Sequence, residues 1–127
     1  MVFLVLLAGF CLAAAAKPDL GDIMKANGKA FSAIEKGIAK QKFEGLGEKA
    51  QLLADQATLV AKEYEPPVNK EEIEKFRALA VQLNQQALAL KDTLGKADST
   101  ESKKQLKKLE QTCISCHKAF IPKRKKP

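Results

Sequence analysis

The chain has 127 residues, a length that suits one compact domain and excludes two domains of ordinary size. Its formal net charge of +7 at pH 7 indicates an anionic partner, which is nucleic acid, an anionic membrane or an acidic protein. The sequence has no tryptophan and a single tyrosine, so a small domain of this composition can gain part of its core volume from a buried cofactor.

Residues 1–16 carry no charged side chain and end in four alanines. This pattern predicts a secretory signal peptide cleaved after Ala16, because a membrane span needs about 20 apolar residues. The basic residue that usually begins such a leader is missing, and a retained anchor is the alternative. Cleavage would remove Cys11 and leave residues 17–127 as one periplasmic domain without stable membrane insertion. Export makes nucleic acid the least favoured of the three partners.

Two amphipathic helices are predicted after the leader. Pro18 and Asp19 suit the first turn and cap of a helix, and apolar residues recur at three- and four-residue steps, so the first helix should span about 18–40. A second helix is predicted over about 47–64. It ends before Pro66 and Pro67, because proline disfavours a helical residue before it and has no N–H to continue the helix.

The third helix has the clearest pattern, with alternating steps of three and four from Ile73 to Leu94. Such a pattern is typical of packed antiparallel helices. Asn69 with Glu72 predicts a capping box at its start, and Asp98 with Glu101 predicts another before a fourth helix over about 99–121. Four such helices joined by short loops predict an all-α fold, an antiparallel up-down-up-down four-helix bundle.

Cys113-Ile114-Ser115-Cys116-His117 lies near the end of the fourth helix, and this pattern is typical of c-type haem attachment. Positions three apart share one helix face, so Cys113 and Cys116 can bond one edge of the macrocycle while His117 binds the iron. A disulfide, half of a zinc site and a thioredoxin-like motif are the other interpretations. Zinc needs about four ligands, and a thioredoxin-like motif needs a βαβ context. The sequence therefore predicts one covalent haem c.

Met24 is the single methionine after the leader. In an antiparallel bundle it should lie at the level of His117, across a gap that a haem fills. Plain core packing is the usual role of a buried methionine, but the matching level and the lack of another thioether favour Met24 as the distal iron ligand. Gly28, one turn later, leaves room for the macrocycle or serves helix packing. The predicted wall of the haem site consists of Leu20, Ile23, Phe31, Ile34, Leu109 and Phe120.

Residues 24–29 (Met-Lys-Ala-Asn-Gly-Lys) and 113–120 (Cys-Ile-Ser-Cys-His-Lys-Ala-Phe), with two helices between them, resemble the cytochrome c-prime family. The resemblance covers essentially the whole chain after the leader. High-spin members bind nitric oxide or carbon monoxide at an open sixth site, whereas low-spin members carry methionine there and transfer electrons. Because the family's distal position corresponds to Met24, the resemblance implies the low-spin branch. Many members pair through their first two helices, so it also admits a homodimer.

These observations lead us to expect a one-electron carrier and no enzyme, because no second histidine or acid–base group accompanies the motif. A gas-binding protein with an open sixth site is the alternative, and a haem-free helical module is another. Lys118 and the basic residues Lys123, Arg124, Lys125 and Lys126 predict docking to a redox partner with an acidic surface, and a solvated tail that only aids solubility is the alternative.

Overall fold

The computed structural model describes residues 17–120, and these residues form four helices and no strand. Helix α1 spans Leu20–Ala39, α2 spans Leu46–Glu63, α3 spans Lys70–Gly95 and α4 spans Ser99–Phe120. The predicted all-α fold is confirmed, and the first, second and fourth predicted helices end within two residues of the observed bounds. The predicted leader and the basic run over residues 123–126 lie outside the described residues.

Polar side chains cap the starts of three helices. Asp19 accepts a hydrogen bond from the N–H of Gly21 before α1. Asn69 accepts one from the N–H of Glu72 at 2.9 Å before α3, and Asp98 accepts one at 3.0 Å from the first turn of α4. Each bond satisfies an N–H group that the first helical turn leaves without a partner. The caps predicted at Asn69 and Asp98 are thereby confirmed.

The helices pack against one another in chain order, and α4 also packs against α1. Hydrogen bonds between helices show which parts meet. The amide of Asn84 in α3 donates to the carbonyl oxygen of Ala54 and to the hydroxyl of Thr58 in α2, at 2.8 and 3.0 Å. Ser102, near the start of α4, donates to Thr93, near the end of α3, at 3.0 Å. This packing is compatible with a four-helix bundle.

The residues just before α1 form hydrogen bonds with residues at the end of α2. The ammonium of Lys17 donates to the carbonyl oxygen of Glu63 at 2.7 Å and lies 4.8 Å from the ring centroid of Tyr64. The Tyr64 hydroxyl donates to the carbonyl oxygen of Pro18. Burial of the phenol, followed by the nearby carboxylates of Asp19 and Glu63, raises the pKa of Tyr64, so the donor proton is retained at neutral pH. These contacts hold the start of α1 in place.

Two groups of buried side chains form the interior. The aliphatic core draws on all four helices and consists of Ala30, Ile34, Ile38, Leu46, Ala50, Leu53, Ala54, Ala87, Leu90, Leu94, Leu106 and Leu109. The aromatic cluster consists of Ile23, Val60, Tyr64, Phe76 and Ala80, with Cys116 and Phe120 packed against it. None of the helices in the described part of the chain is long and apolar enough to cross a membrane.

Candidate functional site

A cavity of about 320 Å³ lies among the four helices and touches both the aliphatic core and the aromatic cluster. Small-molecule sites in proteins typically have volumes of about 300–1,000 Å³. Most of the wall is apolar. From α2 and α3 it includes Leu53, Ala57, Val60, Phe76, Leu79, Ala80 and Leu83.

The cavity brings together the four residues that the sequence analysis assigns to haem and iron. Met24 of α1 lines one part of its wall, and Cys113, Cys116 and His117 of α4 line another. Met24 reaches the wall because α1 places it beside the buried stripe that contains Ile23. The two helix segments predicted to face each other across a haem therefore share one cavity, and their roles as ligands stay predictions.

Cys113 and Cys116 are half-buried, and neither forms a disulfide. Burial raises the pKa of both thiols, and for Cys113 the neighbouring Cys116 and the carboxylate of Glu110 raise it further. Both sulfurs are therefore protonated at neutral pH. A C-x-x-C pair that performs thiol–disulfide exchange has a lowered thiol pKa instead. These surroundings do not favour the thioredoxin-like interpretation.

His117 both lines the cavity and is exposed to solvent, so its imidazole lies at the rim. Its position one residue after Cys116 places it on a helix face adjacent to the two sulfurs. Ile114, which also lines the cavity, is exposed to 45% of its reference area. The α4 side of the cavity therefore has an edge that another molecule can approach.

Two features of the α1 wall bear on the ligand that the cavity can hold. The Oδ1 atom of Asn27, a cavity-lining residue, is buried and has no hydrogen-bond partner within residues 17–120. Because buried polar atoms are normally paired, this oxygen marks a place for a donor on a ligand or a water molecule. Gly28 also lines the cavity, and a Cβ added there would meet no atom within 4 Å. The open space at Gly28, the apolar walls and the two free thiols fit a haem, whereas the Asn27 oxygen needs a donor that a haem does not offer, such as a water molecule.

Two of the six predicted wall residues, Phe31 and Leu109, line the cavity. The other four do not: Ile34 is fully buried in the aliphatic core, Ile23 belongs to the aromatic cluster, and Leu20 and Phe120 pack against that cluster. Helices α2 and α3 also contribute to the wall, and none of their residues is among the six predicted. The apolar periodicity of these two helices indicates which of their residues point inward, and this pattern could have identified them as candidates for the cavity wall.

Among the described residues, no group of three or more histidine, cysteine, aspartate or glutamate side chains could hold a metal ion. An iron held in a porphyrin needs only one or two protein ligands. Such a site therefore does not depend on a cluster of that kind.

No protein-family model, no curated protein and no solved structure matches the chain.

Proposed function

We propose that the chain is an exported monohaem c-type cytochrome that carries single electrons in the periplasm and has no enzymatic role. The observation that carries the proposal is the convergence of Met24, Cys113, Cys116 and His117 on one largely apolar cavity. The resemblance of residues 24–29 and 113–120 to the cytochrome c-prime family is a second, sequence-based reason for it. The four observed helices are compatible with the antiparallel up-down-up-down bundle that we propose as the topology.

Each of the four residues has a distinct role in this proposal. Cys113 and Cys116 would hold the macrocycle to α4 by covalent thioether bonds, which would prevent its loss even when the chain unfolds. His117 would bind the iron through an imidazole nitrogen, and Met24 would bind it through its sulfur. When bound, the haem supplies an iron that accepts and releases one electron. A methionine and a histidine together raise the reduction potential relative to two nitrogen ligands.

The walls of the cavity give this site a largely apolar surrounding. Phe76 lines the cavity, and its ring packs edge-on against that of Phe120, with 5.4 Å between the ring centroids. Phe120 and Cys116 both pack against the aromatic cluster. An apolar surrounding of low dielectric disfavours additional positive charge on a metal, so it acts in the same direction as the methionine ligand.

The gas-binding alternative differs at one residue, Met24. The open space over Gly28 favours it, because a small ligand could enter there if the Met24 sulfur did not bind the iron. In that case the protein would be high-spin and would bind carbon monoxide or nitric oxide without first losing a protein ligand.

The test of the proposal is covalent haem attachment. The full chain is expressed in a bacterium that attaches haem to exported proteins, beside a control in which Cys113 and Cys116 are both changed to Ser. We expect the unmutated protein to keep its colour after acid–acetone extraction and to show the mass of the chain cleaved after residue 16 plus one haem. The control should be colourless. A colourless unmutated protein of apochain mass would overturn the proposal.

A further inference from the structure

One face of α4 combines an exposed apolar residue at the cavity with lysines on both sides of it. Lys103, Lys107, Ile114 and Lys118 are spaced by four, seven and four residues, so they lie on the same side of the helix. All four are exposed, and Ile114 is also part of the cavity wall. We call these four residues the α4 patch.

The charges of the four helices are unequally distributed. Helix α4 has five lysines and two glutamates, whereas α2 has two basic and three acidic residues and α3 has four of each. The three salt bridges found within residues 17–120 all include a residue of α3. The lysines of the α4 patch are in none of them. The exposed carboxylate of Glu110 lies on the same face, three residues after Lys107, so the three lysines face one opposing charge and the positive field of this face is reduced but keeps its sign.

We propose that the α4 patch is the surface on which an acidic redox partner protein docks. This inference rests on the proposed function, because a docked partner exchanges an electron through the nearby cavity edge. Protein interfaces commonly have an apolar centre and a polar rim, and transient redox encounters use small areas. Ile114 supplies the centre, and Lys107 and Lys118 flank it along the helix. Lysines at the rim attract an acidic partner and orient it before contact.

The composition of the patch disfavours the other occupants of a basic surface. A second copy of the chain would bring lysine against lysine, which is repulsive. Binding of single-stranded nucleic acid uses aromatic side chains that stack on bases, and the patch has none. A membrane-binding face needs a large apolar area, and Ile114 is the single large apolar residue in the patch. An acidic protein surface is the partner that fits.

The test uses two triple variants of the full haem-containing chain that have the same net charge. The patch variant is Lys103→Gln/Lys107→Gln/Lys118→Gln, and the control variant is Lys49→Gln/Lys62→Gln/Lys70→Gln, in which all three lysines are exposed on α2 and α3. Both retain the basic residues 123–126. The anionic probe is hexacyanoferrate(III), which takes one electron from the reduced protein and becomes hexacyanoferrate(II). The rate is measured by stopped flow as a function of ionic strength.

At an ionic strength of about 0.01 M, where charges act over about 30 Å, we expect the patch variant to react about three- to tenfold more slowly than the unmutated protein. The reaction rate of the control variant should fall much less. The difference should vanish near 1 M salt, where the screening length is about 3 Å. Equal rates for the two variants would overturn the docking surface, because the effect would then come from net charge alone.

A second measurement does not depend on the haem. Lysine acetylation of the full chain is followed by mass spectrometry at low salt, with and without poly-L-glutamate as an acidic polypeptide. We expect stronger protection of Lys103, Lys107 and Lys118 than of the three control lysines, and equal protection would contradict the proposal. Self-association that disappears in the patch variant would instead identify the patch as a contact between copies and would also overturn it. A protein without bound haem would contradict the proposed function. The acetylation measurement would still show where an acidic polypeptide binds.

Discussion

The aliphatic core and the cavity are formed by the same four helices but from different residues. In the core, Ile34, Ala50 and Leu90 have no exposed surface, and small alanines alternate with larger aliphatic side chains. Around the cavity, α1 contributes the bare backbone of Gly28 and the unpaired oxygen of Asn27, and α4 contributes two thiols. The buried residues of the core are all aliphatic, whereas the cavity wall includes a bare helix backbone, an amide oxygen without a partner among residues 17–120 and two thiols.

This difference predicts that mutations in the two regions depend differently on the cofactor. Mutations in the aliphatic core should have equal effects in the haem-containing and haem-free protein. Mutations at the cavity should have effects that change with the cofactor. The haem-free form for these comparisons is residues 17–127 expressed without the leader.

The largest effect is expected for Leu90→Ala in the aliphatic core. Leu90 is 0% exposed, so its truncation should lower the free energy of unfolding by about 3–5 kcal/mol, because it removes buried apolar surface and leaves a void. Chemical denaturation of both forms measures the loss. Because Leu90 does not line the cavity, the visible spectrum should stay unchanged. A loss that occurs in the haem-containing form alone would show that the two regions are not independent.

In the haem-containing protein, Met24→Ala should have the next largest effect on the free energy of unfolding. The half-buried side chain contributes packing in both forms, but the proposed sulfur–iron bond exists in one. We expect a loss of about 2–3 kcal/mol in the haem-containing protein and about 1 kcal/mol in the haem-free protein. The variant should also become high-spin and bind carbon monoxide rapidly. An equal loss in both forms, with no change of spin state, would reduce Met24 to a packing residue.

Two half-buried asparagines give a matched pair with opposite expected signs. Asn84→Leu should destabilise both forms by about 1–2 kcal/mol, because it removes the hydrogen bonds to Ala54 and Thr58, while the Ala54 carbonyl oxygen still accepts a hydrogen bond from the Thr58 hydroxyl. Asn27→Leu should stabilise the haem-free form by about 1 kcal/mol, because it removes an oxygen that has no partner. Thermal and urea unfolding of each variant, in the haem-containing and the haem-free form, measure the change in the free energy of unfolding. Destabilisation of the haem-free form by Asn27→Leu would mean that the oxygen is satisfied in solution.

The smallest effect is expected for Gly28→Ala. In the haem-free protein it should add about 1 kcal/mol of stability, because alanine is the better helix former and its methyl group meets no atom within 4 Å. In the haem-containing protein the gain should be absent, because the macrocycle would occupy that space. Gly21→Ala is the control: its Cβ would lie 3.6 Å from the Asp19 side chain and away from the cavity. A gain of equal size at Gly28 in both forms would place the cofactor elsewhere.

The helices could be predicted from the sequence because their signals are local. The three- and four-residue spacing defines their inward faces, and Asn69 and Asp98 cap them as expected. The turns were less predictable. Gln41 and Ala97, rather than a glycine, adopt positive φ angles of 54° and 50° after α1 and α3. Hydrogen bonds from the following residues back to the last helical turns hold them there.

The candidate site could be predicted in part. The motif identified Cys113, Cys116 and His117, and the expected topology pointed to Met24. The contributions of Phe76 and Ala80 depend on how far α3 is shifted along its neighbours, and periodicity does not encode that shift. The contact between Tyr64 and Pro18 joins residues 46 positions apart, so no local sequence pattern predicts it.

The optical spectrum of the ferric and ferrous protein, with and without carbon monoxide, tests the central claim most directly. We expect a low-spin ferric spectrum with the weak far-red band of methionine sulfur bound to iron, and a ferrous spectrum that carbon monoxide changes slowly or not at all. Such a result would mean that Met24 and His117 both bind the iron in the cavity where the fold places them. A high-spin protein that binds carbon monoxide at once would contradict the electron-carrier proposal, and a protein without haem absorption would contradict the cofactor itself.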